Sequence, residues 1–183
     1  MKQMIPKSRP QFTKSQVLSY LGLYDLVKYP VKVLGVRGYY KHTMGDPDKN
    51  DVGIYDDAIF VLSKNFFGSY NANTDPSKLF KDVAVLKAGG PYLYKIGMHN
   101  MKAPYEALRQ YGNVTVLRNG IPVQDSPSHR FYIDIHKGGN NTTSSLGCQT
   151  ICPPQWDGFL KDVKQQLALN QQTLIPYILI EFK

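Results

Sequence analysis

Val114-Thr-Val-Leu-Arg118-Asn-Gly120-Ile-Pro-Val123 sets β-branched and aliphatic residues on both sides of Asn119-Gly120. That dipeptide readily takes the two left-handed conformations of a tight hairpin turn, so the stretch predicts two short antiparallel strands. The same pattern recurs outward from it. Upstream, Val31–Tyr40 predicts a strand, and Ala58–Leu62 with Phe66–Tyr70 predicts a hairpin around Ser63-Lys64-Asn65. Val83–Leu86 and Tyr92–Ile96 follow, separated by Gly89-Gly90, and downstream come Arg130–Ile135 and the apolar run Thr173–Phe182.

Two segments have a helical period instead. Residues 15–29 place apolar side chains at 17, 18, 21, 24 and 27, with Pro30 as the stop. After Pro153-Pro154, residues Trp156, Phe159, Leu160, Val163 and Leu167 fall on one helical face. Many short strands with one or two packed helices give a mainly-β or α+β single domain, a sandwich or barrel, over residues 15–183. Residues 1–14, with Lys2, Lys7, Arg9, Lys14 and two prolines, are expected to form a basic N-terminal arm.

The chain has 183 residues and a formal net charge of +8, with 42% hydrophobic and 20% charged residues. That balance excludes a wholly disordered chain, and no apolar run reaches the roughly 18 residues of a membrane-spanning helix. The first ten residues lack the apolar core of a secretory signal, which predicts synthesis in the cytoplasm without a signal peptide. Basic charge favours a polyanionic partner. The later Lys and Arg are scattered singly, with no nucleic-acid-binding signature, so a nucleic-acid partner is not expected. Cys148 and Cys152 are too few for a disulfide framework, and no second Cys pair completes a zinc site with His129 and His136. No metal or cofactor is expected.

The stretch with chemistry in it is Arg130-Phe-Tyr-Ile-Asp-Ile-His136-Lys-Gly-Gly-Asn-Asn-Thr-Thr-Ser-Ser-Leu-Gly-Cys148-Gln-Thr-Ile. Alternation puts Asp134 and His136 on one strand face, and the eleven residues 137–147 are enough to double back and bring the thiol to the imidazole. A nearby imidazolium would stabilise a thiolate nucleophile. Gly147 permits a sharp turn that would aim backbone N–H groups at an oxyanion.

Ile135-His136-Lys-Gly followed by Ser145-Leu-Gly-Cys148 resembles the active-site motif of the L,D-transpeptidase catalytic domain (YkuD-type) family. The resemblance implies a β-rich fold and a peptidoglycan stem peptide as substrate, attacked by Cys148 with His136 as base. It also implies a supporting backbone carbonyl from Lys137, and action at the cell wall or periplasm. Leu146 stands where the family has a second histidine, and the His-to-Cys loop is shorter than in housekeeping transpeptidases. Both departures resemble compact phage and toxin relatives, which makes a phage or prophage cell-wall-active protein the expectation. A non-catalytic module on the same fold that binds cell wall or another polyanionic partner, with an idle cysteine, is the alternative.

Ser145, Asp134, His99 and Arg109 are the expected substrate-contacting residues, with His99 placed in a loop facing the cysteine. Arg37 is expected to be ordinary surface charge, and Asp56-Asp57 solvated loop acids.

Overall fold

The computed structural model describes residues 3–99 and 102–182. It is mainly β, with two helices. In chain order the elements are α1 (Lys14–Leu21), β1 (Lys32–Arg37), β2 (Asp57–Ser63), β3 (Phe66–Asn73), β4 (Val85–Leu86), β5 (Gly89–His99) and β6 (Tyr105–Gln110). They are followed by β7 (Thr115–Arg118), β8 (Ile121–Gln124), β9 (Ile135–Lys137), β10 (Gln149–Ile151), α2 (Pro153–Leu169) and β11 (Ile175–Glu181). Eight strands close a barrel in the order β1-β11-β5-β6-β9-β10-β3-β2, and β4-β7-β8 form a separate three-stranded sheet. The pairs β1/β11 and β9/β10 are parallel, and the other pairs are antiparallel.

Strands β1 and β2 show almost no polar alternation because both of their faces are covered. Val33, Ile59 and Val61 belong to the larger core, with Tyr94, Tyr177, Trp156 and Phe159. Their neighbours Leu34, Ala58, Phe60 and Leu62 belong to the second core, with Val17 and Leu21 of α1. Helix α2 lays Trp156, Phe159, Val163 and Leu167 against the larger core, the face its periodicity predicts. The hairpin at Asn119-Gly120 forms with both residues at positive φ.

Several boundaries differ from the sequence expectation, each for a local reason. Helix α1 stops at Leu21 and does not reach residue 29; Gly22 caps it, and Leu23 and Val27 face solvent. Its start is held by a reciprocal Thr13–Gln16 capping box. Strand β9 begins at Ile135 and not at Arg130, because Phe131 N–H donates to Asp125 Oδ2 and Ile133 N–H to Gln110 Oε1, leaving no ladder for that stretch. Strand β6 falls on residues where no strand is expected.

The N-terminal segment packs against the barrel. Phe12 stacks on Phe60 and meets Tyr39 edge-on, and Ser8 O accepts from Tyr40 Oη and Asn71 Nδ2. Met1 and Lys2 of the expected arm, and Lys183, lie outside the described residues.

Two charge expectations are overturned. Arg37 is buried: its Nε lies 3.1 Å from Asp75 Oδ1, and Nη2 donates to Thr74 O and Leu86 O. Asp56 and Asp57 are fully buried at the start of β2. Asp57 accepts from Gly38 N–H, Thr74 N–H and Thr74 Oγ1, so it is a structural acceptor for two converging loops.

Candidate active site

Parallel pairing of β9 with β10 sets Gln149 beside Ile135 and Thr150 beside His136. Carried one residue back, that register puts Cys148 on the same side as Asp134 and His136. Gln149 N–H donates to Asp134 O and fixes the approach of the two chains. The fold therefore brings the motif's ends together, as doubling back of the loop requires.

His136 is buried, and its Nδ1 lies 2.8 Å from Lys137 O. A carbonyl oxygen only accepts, so Nδ1 carries the proton and Nε2 is left as a bare acceptor. This is the carbonyl contact that the resemblance implies. Tyr105 Oη adds a second contact to the same Nδ1 at 3.2 Å. Burial, then the neighbouring His99, pushes the His136 pKa down to about 4. The ring is thus neutral over the physiological range.

His99 is the last residue of β5 and touches the site directly. Its ring stacks on His136 with centroids 4.3 Å apart and an interplanar angle of 14°. Its Nδ1 donates to Asp134 Oδ2 at 2.8 Å, which orients the imidazole.

Asp134 is the organising residue of this face. Its side chain is 1% exposed and receives Arg109 Nε at 2.8 Å, His99 Nδ1, and the N–H of Gln110 at 2.9 Å. Its carboxylate is thus engaged by protein donors and buried from solvent. Arg109, also expected to hold substrate, spends Nε on Asp134 and Nη1 on Met98 O, with its guanidinium over the Tyr132 ring. Ser145 is buried as well. Its Oγ donates to Cys148 O at 2.7 Å and accepts from Gly147 N–H at 3.0 Å, so it staples the turn.

The thiol and imidazole share a face but form no hydrogen bond, in contrast to the expectation. Cys148 Sγ donates to Tyr132 O at 3.4 Å, a carbonyl redirected by the positive φ of Tyr132. Burial is the main cause that raises the Cys148 pKa to about 12, and the adjacent Asp134 charge adds to it. The resting pair is neutral thiol with neutral imidazole, not thiolate with imidazolium. Gly147 adopts φ +139°, and a Cβ there would sit 2.5 Å from Ala84 O.

The oxyanion expectation also changes. Gly147 N–H is engaged by Ser145 Oγ and Gln149 N–H by Asp134 O. Between them, the N–H of Cys148 donates to no protein acceptor among the described residues. Beside the thiol lies a cavity of about 280 Å³, bordered by Val83, Ala84, Arg118, Phe131 and Leu146.

Family models, curated proteins and solved structures were all compared with this chain, and none matches. The site therefore stands on its own geometry and on the local motif. Tyr105 and Tyr132 escaped sequence reasoning. Tyr105 lies on the unexpected strand β6, and Tyr132 acts through a backbone conformation that residue type does not signal. Cys152 is buried at the start of α2, where its N–H donates to Asn71 O. Among the described residues, no cluster of His, Cys, Asp and Glu is arranged to hold a metal ion. No helix among them is long and apolar enough to cross a membrane.

Proposed function

We propose that this protein is a cysteine-dependent acyl-transfer enzyme that cleaves or exchanges an amide in peptidoglycan stem peptides, as a phage- or prophage-type cell-wall protein would. The observation that carries the reading is the bare Nε2 of His136, created by the Nδ1–Lys137 O contact, on the same face as Cys148. In the mechanism, the thiol proton passes to Nε2 as the sulfur–carbon bond forms, since burial pushes the Cys148 pKa up to about 12. The free Cys148 N–H donates to the developing oxyanion. The imidazolium then protonates the leaving amine, and a thioester remains. Water, or a second amine, attacks the thioester with His136 again taking the proton, which restores the thiol.

His99 and Asp134 act through His136. The stacked ring and its buried carboxylate hold the base in place, and a tautomer flip would have to break the Lys137 contact. The raised thiol pKa favours the alternative, a module that binds cell wall with an idle cysteine. Mass spectrometry of defined muropeptides incubated with wild type and Cys148→Ser separates the two. The expected result is a shortened or exchanged stem with wild type and none with Cys148→Ser. Turnover by Cys148→Ser, or none by wild type with binding retained, would reject the covalent reading.

A further inference from the structure

The cavity beside Cys148 contains one charged group whose donors are unspent. The chain has five arginines. Arg9 donates to Ser69 O, Arg37 to Thr74 and Leu86, Arg109 to Asp134 and Met98, and Arg130 to Tyr111 O and Gly112 O. The side chain of Arg118, at the end of β7, makes no hydrogen bond or ion pair among the described residues. Its guanidinium instead lies 4.9 Å from the centroid of the Phe131 ring. Nε is covered and has no acceptor, and Arg118 lines the same cavity as Cys148.

A half-buried guanidinium without an acceptor is energetically unfavourable, and a planar carboxylate is the group that matches its paired N–H donors. Stacking on Phe131 removes rotamer freedom that binding would otherwise have to freeze. The same cavity is also lined by the apolar Ile133, Phe131 and Leu146, which suits a short hydrocarbon linker. Asp82 lines the same cavity, with its carboxylate held by Asn119 Nδ2 at 2.6 Å.

We propose that Arg118 is the specificity-determining residue of this site, binding a free carboxylate of the amide substrate while the scissile carbonyl lies at Cys148. The substrate identity rests on the acyl-transfer reading above, but the carboxylate preference does not require turnover. Two carboxylates of a stem tetrapeptide have the right chemistry: that on the side chain of its diamino acid, and the C-terminal one of the residue to be released.

The test is a binding titration with full-length Cys148→Ala protein. The ligands are a disaccharide-tetrapeptide with both carboxylates free, one amidated on the diamino-acid side chain, and one amidated at the C-terminus. The expected result is at least tenfold weaker binding for one amidated ligand, which identifies the carboxylate used. Arg118→Gln should bind all three ligands equally and weakly, whereas Arg118→Lys should recover part of the preference. Unchanged near-ultraviolet circular dichroism in the variants keeps the comparison valid. Equal affinity for all three ligands, or a preference that persists in Arg118→Gln, would overturn the proposal. If the preference is present but wild-type protein turns nothing over, the acyl-transfer reading fails and Arg118 remains the carboxylate site.

Discussion

Cys148 holds its proton at rest because burial and the nearby Asp134 charge disfavour the thiolate. Iodoacetamide should therefore label it more slowly in the folded protein at pH 7 than in the urea-unfolded chain, and the rate should keep rising to pH 9. A plateau between pH 6 and 7 would instead reveal a preformed thiolate–imidazolium pair. Asp134 offers a second test at this scale. Replacing it with Asn puts an N–H₂ group among donors from Arg109, His99 and Gln110. Asp134→Asn should lose about 1.5–3 kcal/mol of stability in urea titrations, the range for hydrogen bonds to charged groups. Its muropeptide turnover should fall as well, through the loosened His99–His136 stack.

Within elements, two glycines sit in opposite situations. Gly147 has a left-handed φ, and its missing Cβ lets the turn pass close to Ala84 O, so Gly147→Ala should cost about 1–3 kcal/mol and displace Cys148. Gly158 lies inside α2, where an added Cβ meets nothing within 4 Å. Gly158→Ala should stabilise the protein by about 0.5–1 kcal/mol, because it lowers the entropy of the unfolded chain and improves helix propensity. Denaturant midpoints of the two variants should move in opposite directions. The contrast follows from position: one glycine supplies a conformation, and the other only a gap on a helix surface.

For the whole molecule, the buried acids at the start of β2 set a pH dependence. Desolvation, then the mutual repulsion of the pair, raises the pKa of Asp56, and one of its oxygens has no partner. A raised folded-state pKa means that the native state holds the proton more tightly than the unfolded chain does. The stabilisation is full at acid pH and is lost as pH rises through the folded value. Between pH 6.5 and 8.5, above the range where buried neutral His136 contributes, wild-type melting temperature should fall. Asp56→Asn should lose less over the same interval. An identical pH slope in the two proteins would show that Asp56 is already ionised at the lower end.

The β-rich class, helix α2 and the Asn119-Gly120 turn are legible in the residue order alone. In each case the signal is local: side-chain period or the φ preference of one or two residues decides the outcome. The residue order also brought out Cys148 and His136, since their types and the flexible loop between them are visible in one dimension. The remaining features depend on contacts between segments far apart in the chain. Whether Arg130–Asp134 joins a ladder depends on Asp125 and Gln110 taking its N–H groups. Whether Asp134 and Ser145 meet substrate depends on burial by elements distant in the chain. The protonation of the thiol and the imidazole depends on desolvation, a property of the packed surroundings. Arg118 stands beside Cys148 only because β7 carries it over Phe131 to the same cavity, thirty residues from the thiol in sequence.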